Sequence, residues 1–167
     1  MDSDVGRFLA GIAALVWDPT AERYLLLKRS PRKDFGAGNW ECITGRVDQG
    51  EGFEDALRRE VQEEVGLAVQ PLFIIGTTHF YRGEERPENE LVGVIYCCQV
   101  EDSTAVQLSQ EHSEYRWLTL EEALTVLSST NSAEWWLGRV IERADFLRQT
   151  LPAEVIAYHR QNGFELG

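Results

Sequence analysis

The sequence predicts a layered fold of strands and helices, of the α/β or α+β class, and three observations support that prediction. Apolar runs of strand length alternate with turn residues as far as residue 118. Residues 53–65 carry apolar side chains at helical spacing. The last third of the chain is helical, and no repeat, low-complexity tract or linker divides it. We therefore expect a single domain over residues 1–167.

The strands are short apolar runs separated by Pro, Gly or charged residues. The first two form a hairpin around the Pro-containing turn at residues 18–23. A loop rich in glycine and basic residues, 30–40, precedes the third strand, which enters Gly45. We expect strands at residues 8–17, 24–28, 40–44, 72–82, 91–100 and 115–118.

Helices follow from capping residues as well as from periodicity. The helix at residues 53–65 ends at Gly66, the residue type that best adopts a left-handed C-terminal conformation. Thr119 caps a second helix, with Glu122 three residues on. A helical extension at about 132–161 is broken at Pro152.

The charge balance excludes several partners. Against 16 Lys and Arg stand 28 Asp and Glu, a net charge of −12, which argues against a nucleic acid or an anionic membrane surface as partner. A polyanionic small molecule requires cations where it binds. Cys42, Cys97 and Cys98 lie in apolar runs, as buried thiols of a reducing compartment do. Without a basic signal region, the N-terminal segment predicts a cytoplasmic protein with no membrane partner.

Three glutamates dominate the helix at residues 53–65. On a helical wheel, Glu60 and Glu64 continue the apolar stripe that begins at Phe53, and Glu63 lies at its edge. The opposite, solvated face carries Glu54, Asp55, Arg58, Arg59 and Gln62. A helix whose glutamates merely face solvent is the alternative.

Neighbouring carboxylates on a half-buried face need a positive partner. Arg59 can reach Glu63 but points mainly outward, so it cannot neutralise three charges. Hard oxygen donors at this density suit Mg²⁺, or Mn²⁺ as the alternative ion.

Residues 45–67, GRVDQGEGFEDALRREVQEEVGL, resemble the Nudix box, and every specified position matches at its spacing. The resemblance implies the Nudix fold, an α+β protein built as an α/β/α sandwich. A mixed β-sheet lies between helices, with extra C-terminal helices here. It also implies Mg²⁺-dependent hydrolysis of a diphosphate linkage. The matched positions are Gly45, Glu51, Arg59, Glu60, Val61, Glu63, Glu64, Gly66 and Leu67.

By that resemblance, Glu60, Glu63 and Glu64 are metal ligands, and one of them could also be the general base. Thr44, where many members have a second glycine, would offer only its backbone carbonyl. The other roles also follow from the resemblance: Arg59 orients the carboxylates, Glu51 supports the preceding loop, and Gly45 and Gly66 are structural. The alternative for Glu51 is a negative charge that the helix dipole favours near the N-terminus of α-helices. Gly52 stands where Ser or Thr is common.

The segment 111–118, EHSEYRWL, resembles the part of many Nudix enzymes that supplies a further metal-binding carboxylate. Glu111 is the favoured ligand and general-base candidate, because it precedes the strand in a polar stretch. Glu114 is expected to be structural or solvent-facing. His112 is expected at the surface or at a hinge.

Basic and aromatic side chains outside the box are the candidate substrate contacts. Arg29, Arg32 and Lys33 could hold distal phosphates or simply solubilise their loop. Trp40, Phe80 and Tyr81 could stack on a base or pterin ring or pack in the core. The sequence is also similar to bacterial Nudix enzymes acting on nucleoside triphosphates and dihydroneopterin triphosphate. We therefore expect such a substrate, with dinucleoside polyphosphates and nucleotide sugars as alternatives.

Two non-catalytic functions remain to be weighed. A Nudix-fold ligand sensor would have a damaged box and an attached DNA-binding module, and neither is present in this sequence. An interaction module could use residues 133–147, where core packing explains most of an aromatic stripe and homodimer formation could explain the rest. That stripe contains Trp135, Trp136, Val140 and Phe146.

Overall fold

The computed structural model describes residues 5–33 and 36–167. Within them, four helices and seven strands follow one another in an order close to the predicted one. The strands are β1 Leu9–Asp18, β2 Arg23–Arg29, β3 Trp40–Glu41, β4 Ile43–Arg46, β5 Val69–Tyr81, β6 Glu90–Val100 and β7 His112–Leu118. The helices are α1 Phe53–Val65, α2 Leu120–Val126, α3 Ser132–Thr150 and α4 Ala153–Asn162.

The strands form one mixed sheet, and β1 lies at its centre. The order is β3-β2-β1-β6-β5, with β4 paired to β1 and β7 paired to β2. The β1–β6 pair is parallel, and the other pairs are antiparallel. Helices pack on both faces, so the predicted α+β sandwich with a mixed sheet is confirmed.

The single strand expected at residues 40–44 is two strands with different partners. β1 and β2 pair only next to their turn, at Trp17–Tyr24 and Asp18–Arg23, and then diverge. The segment pairs first with β2, through Trp40 and Glu41, and then crosses to β1. Where β1 and β2 diverge, the backbone N–H and C=O groups along their facing edges need other partners. The segment supplies partners first to β2 and then to β1.

Each face of the sheet carries its own apolar cluster. Alternate residues of β1 separate the two: Ile12, Ala14 and Val16 face α1, whereas Ala13 and Leu15 face α3. This is the period-two alternation of a strand covered on both sides. All three cysteines are buried and unpaired, as predicted.

The solvated face predicted for α1 is wrong at two residues, Glu54 and Arg59, and Arg59 turns towards Glu51 and Glu60. Glu54 is only 9% exposed, because residues 163–165 pass over the beginning of the helix, and the backbone N–H groups of Phe164 and Glu165 donate to its carboxylate. Asp55, Arg58 and Gln62 are exposed, as expected.

The aromatic stripe of α3 divides between core and surface. Val140 is buried and Trp136 packs against the core, whereas Trp135 and Phe146 are 56% and 65% exposed. Homodimer formation through that face stays a prediction, as does the single domain over residues 1–167. None of the helices in the described part of the chain is both long and apolar enough to cross a membrane.

Candidate active site

Two of the three clustered glutamates of α1 face the interior. Leu57 and Val61 are fully buried, and the Glu64 and Glu60 side chains on the same face are 9% and 15% exposed. Glu63 is 60% exposed. The predicted continuation of the apolar row by carboxylates is therefore confirmed for Glu60 and Glu64, and Glu63 lies at its solvent edge.

Gly45 is the point on β4 where the sheet approaches these carboxylates. A Cβ atom on Gly45 would lie 2.0 Å from Cδ of Glu60, so any other residue would displace the glutamate. The antiparallel pairing of Gly45 with Ile12 directs this position towards α1. Thr44, directly before it, is exposed and pairs with Ala13.

Arg59 points into the carboxylate cluster, and the expectation that it points mainly outward is wrong. Its Nε and Nη2 donate to the two oxygens of Glu51, both at 2.8 Å, and its Nη1 donates to Glu60 at 2.8 Å. Glu63 and the carbonyl of Arg46 complete the set at 3.5 and 2.9 Å. A planar guanidinium with five donors satisfies several acceptors at once, which explains the inward position.

The Arg59 network changes the acidity of its members. The hydrogen bonds from Arg59 lower the pKa of Glu51 to about 2. The carboxylates of Glu51 and Glu60 in turn raise the pKa of the Arg59 guanidinium. Glu51 also accepts from the backbone N–H of Asp48 at 3.0 Å. The roles of Glu51 and Arg59 in supporting the loop and the carboxylates stay predictions.

Glu64 is the most perturbed carboxyl group of the site. Burial raises its pKa to about 9, and the charges of Glu41, Glu60 and Glu111 add to that effect, while Arg29 opposes it. Burial also raises the pKa of Glu60, against the lowering effect of Arg59. A buried, like-charged carboxyl group of this kind is typical of a functional site.

Glu41 and His112 are members of the site that sequence reasoning missed. His112 is buried, with its side chain 1% exposed, so the expected surface or hinge position is wrong. Its Nε2 lies 2.7 Å from Glu41 and 3.8 Å from Glu64, and its Nδ1 is buried without a hydrogen-bond partner among the described residues. Glu41 also accepts from Arg29 at 3.3 Å.

A weak signal for Glu41 existed in the sequence. It is the only charged residue between Trp40 and Gly45, a stretch that otherwise reads as a buried strand. For His112 no such signal existed, because β7 begins three residues earlier than the predicted strand at residues 115–118.

The two candidate carboxylates of β7 and its preceding loop have different surroundings. Glu111 accepts from Nζ of Lys33 at 2.8 Å, and that hydrogen bond lowers its pKa. Glu114 instead pairs with Arg116 at 2.6 Å and Lys28 at 4.0 Å on the strand. The charge of Glu111 is among the main causes that raise the pKa of Glu60 and Glu64, which favours Glu111 over Glu114.

An open cleft of about 610 Å³ lies next to Glu111. Its lining includes two of the predicted phosphate contacts and the candidate base. The lining residues are Ser30, Arg32, Lys33, Gln110 and Glu111. Arg29, the third predicted contact, lies beside Glu41.

The predicted aromatic contacts are dispersed. Trp40 is 6% exposed in the core, with the cations of Lys28 and Arg116 at 5.5 and 5.0 Å from its ring. Phe80 is 45% exposed and Tyr81 is partly exposed, both at the end of β5. Three strand spacings, about 14 Å, separate β5 from β4. Stacking by these rings on a substrate stays a prediction.

The donor set suits a hard divalent cation, because its members are carboxylates and the three thiols lie buried in the core. Burial disfavours the ionised forms of both Glu64 and Glu60, and Arg59 opposes this effect at Glu60. Within residues 5–33 and 36–167, however, no three His, Cys, Asp or Glu side chains already converge on one point. The carboxylates are neighbours, not an assembled coordination shell.

Comparison with known proteins gives one family. A sequence model of the NUDIX domain matches residues 7–143. The asymmetrical bis(5'-nucleosyl)-tetraphosphatase of Rattus norvegicus is 35% identical over 111 residues, covering 64% of this chain and 70% of that protein. An octanoyltransferase of Myxococcus xanthus is 34% identical over 103 residues, but these are 61% of this chain and 28% of that protein.

The fold agrees with the sequence comparison. The crystal structure of a MutT protein from Methanosarcina mazei Go1 has a TM-score of 0.68 and 28% identity, covering 89% of this chain and all of that one. The family match spans most of the chain and includes the whole segment 45–67. The chain therefore belongs to the Nudix hydrolase family, whose enzymes hydrolyse phosphoric anhydrides.

Proposed function

We propose that this protein is a divalent-cation-dependent hydrolase that cleaves a diphosphate linkage in a nucleoside triphosphate or a related nucleotide or pterin phosphate. The observation that carries the proposal is Glu64, a buried carboxyl group whose pKa is raised to about 9 next to three other carboxylates. Folding such a group near like charges is costly, and a cation that binds the ionised form offsets the cost.

The residues that would hold Mg²⁺, or Mn²⁺ in its place, are Glu60, Glu63, Glu64, Glu111 and the backbone carbonyl of Thr44. When bound, the cation neutralises phosphate charge and acidifies the attacking water. Glu60 and Glu64 offer oxygens from the interior face of α1, and Glu63 offers one from its solvent edge.

The protein's own groups hold the ligands and move the proton. Arg59 orients Glu60 through the 2.8 Å hydrogen bond and fixes the loop before α1 through Glu51. Glu111 is the candidate base, because its carboxylate borders the open cleft and acts electrostatically on Glu60 and Glu64. Lys33 donates to Glu111 and faces the cleft, where a substrate phosphate would compete for the same ammonium.

Two substrate classes follow from the cleft and from the relatives. Arg32 and Lys33 in its lining suit a chain of phosphates, which supports the nucleoside triphosphate class. The tetraphosphatase of Rattus norvegicus, similar over 70% of its length, supports an asymmetrical dinucleoside tetraphosphate as the second candidate. Nucleotide sugars are a weaker alternative.

We also propose that the chain acts as a single domain in the cytoplasm, with no nucleic acid or membrane partner. The net charge of −12 argues against those two partners, since anionic polymers and surfaces would be repelled. The exposed Trp135 and Phe146 support a homodimer as an addition to catalysis.

A substrate panel with metal dependence tests the proposal. Nucleoside triphosphates, diadenosine tetraphosphate, dihydroneopterin triphosphate and nucleotide sugars are incubated with Mg²⁺, with Mn²⁺ or with EDTA. Products are identified by mass spectrometry in ¹⁸O-labelled water, which identifies the bond that is cleaved. We expect hydrolysis of at least one polyphosphate that EDTA abolishes.

Variants of α1 complete the test. Glu63→Gln and Glu64→Gln should each lower the rate by more than about 100-fold, because each removes a metal ligand. Asp55→Asn, an exposed acid of the same helix, is the matched control and should retain activity. Full activity of both glutamine variants, or full activity in EDTA, would contradict the cation site. Cleavage of no substrate would favour a sensor or interaction protein.

A further inference from the structure

The first turn of α1 has no capping side chain of its own. Gly52 occupies the N-cap position in an extended conformation and makes no side-chain cap hydrogen bond. The first four N–H groups of a helix lack partners within it, and Ser, Thr, Asp or Asn at the N-cap usually satisfies one of them. The amides that follow Gly52 therefore need an acceptor from another part of the chain.

Glu165 supplies that acceptor from a position 112 residues away. The backbone N–H of Phe53 donates to Oε1 of Glu165 at 2.6 Å, and the N–H of Glu54 donates to Oε2 at 3.4 Å. A Cβ atom at Gly52 would lie 2.5 Å from Oε2 of Glu165. The glycine thus leaves the space that the distant carboxylate fills.

Hydrogen bonds between α1 and the segment after α4 run in both directions. Oε1 of Glu54 accepts from the backbone N–H of Phe164 and, at 3.1 Å, from that of Glu165. Arg58 lies 3.5 Å from the other oxygen of Glu54. A local capping box exchanges two such hydrogen bonds within four residues, whereas this one joins α1 to the segment after α4.

Aromatic packing anchors residues 163–165 in this position. The Phe164 ring stacks on His159 of α4, with 4.3 Å between centroids and 8° between planes. It also meets Tyr96 of β6 edge-on at 5.6 Å, and Tyr96 is buried. Gly163 begins the turn at φ 73°, a conformation that glycine adopts without strain. The segment is therefore fixed by α4 and the sheet before it reaches α1.

We propose that Glu165 and Glu54 are positioning residues for the catalytic carboxylates, and that they form a long-range capping box in place of the N-cap that Gly52 lacks. Glu51 directly precedes Gly52, its carboxylate binds Arg59, and Arg59 holds Glu60 at 2.8 Å. Loosening the beginning of α1 therefore displaces Glu51 and, through Arg59, Glu60.

Amide hydrogen exchange tests the capping box without reference to activity. Glu165→Ala should accelerate exchange at the Phe53 and Glu54 amides by about tenfold, the effect of losing a helix cap. Glu165→Gln keeps an acceptor oxygen and should retain most of the protection. Glu154→Ala, an exposed glutamate in the first turn of α4, is the matched control and should leave both amides unchanged.

A double variant tests whether Gly52 and Glu165 substitute for one another. In the Glu165→Ala background, Gly52→Ser supplies a local cap and should restore protection at the Glu54 amide, the N2 position that an N-cap side chain can reach. With Glu165 present, the same change should lower protection, because its Cβ atom collides with the carboxylate. The same effect of Gly52→Ser in both backgrounds, or unchanged exchange in Glu165→Ala, would overturn the capping box.

The positioning role is tested by the Mg²⁺ dependence of hydrolysis, and this step rests on the proposed function. Glu165→Ala should raise the half-activating Mg²⁺ concentration several-fold while leaving the substrate KM at saturating Mg²⁺ unchanged, and Gly52→Ser should reverse the increase. A smaller folded fraction would lower the rate without moving that concentration. If hydrolysis needs Mg²⁺ but Glu165→Ala leaves the half-activating Mg²⁺ concentration unchanged, the positioning role alone is overturned. Hydrolysis that does not need Mg²⁺ overturns the proposed function.

Discussion

Glu64→Gln should change how the stability of the metal-free protein depends on pH. The pKa of Glu64 is raised from 4.5 to about 9, chiefly by burial. At a pH between those two pKa values, Glu64 has lost its proton in the unfolded chain but keeps it in the folded protein. Stability therefore falls as the pH rises, because the folded state binds more protons. The contribution of the raised Glu64 pKa to the free energy of unfolding is fully present below pH 4.5 and is lost as the pH approaches about 9.

The size of the effect follows from the same two values. Each pH unit inside the window changes the free energy of unfolding by about 1.36 kcal/mol for one proton. From pH 5.5 to pH 8, wild type should therefore lose about 3 kcal/mol that the Glu64→Gln variant does not lose. Urea denaturation in EDTA at the two pH values measures this difference, and contributions from titrating groups that do not interact with Glu64 cancel between the two proteins.

A control and a metal arm complete the measurement. Asp55→Asn, exposed on the same helix, should follow wild type at both pH values. Adding Mg²⁺ should stabilise wild type at pH 8 by about 1.4 kcal/mol at ten times the dissociation constant, and should stabilise Glu64→Gln much less. Equal pH dependence of wild type and Glu64→Gln in EDTA would refute the assignment of Glu64 as a buried, protonated group.

Three further substitutions test individual contacts. Gly45→Ala should reduce kcat by at least about tenfold, because the new Cβ atom would lie 2.0 Å from Cδ of Glu60. Steady-state kinetics at saturating Mg²⁺ measures kcat, and a wild-type value would contradict this prediction. Arg59→Lys should lower the midpoint of urea denaturation, since lysine cannot bind both oxygens of Glu51, and an unchanged midpoint would argue against the bidentate pair. Thr119→Ala should cost about 1 kcal/mol by losing the capping box of α2 while leaving kcat unchanged; a large loss of activity would mean that α2 affects the site.

Local patterns in the sequence predicted most of the elements and the identity of the carboxylate cluster. The helix at residues 53–65 was predicted with its observed bounds, because its apolar spacing and the terminal Gly66 are properties of neighbouring residues. The left-handed conformation of Gly66, φ 66°, agrees with that reasoning. The inward direction of Glu60 and Glu64 also follows from helix geometry alone.

The division of residues 40–46 into two strands could not be predicted from the segment itself. It depends on where β1 and β2 diverge, and both of these strands lie earlier in the chain. The burial of His112 beside Glu41, 71 residues apart, has the same kind of cause. Spacing along a chain carries no information about which distant strands become neighbours.

The sequence by itself determined the family, the helix that carries the clustered glutamates, and the requirement for a positive partner near them. These depend on spacing within 23 residues, where helix geometry relates sequence to direction in space. Only the tertiary structure decided that Arg59 turns inward, that Glu41 and His112 join the site, and that Glu165 caps α1. Each of these depends on which acceptors and donors the folded sheet and the segment after α4 bring within hydrogen-bonding distance, and that is a property of the assembled fold.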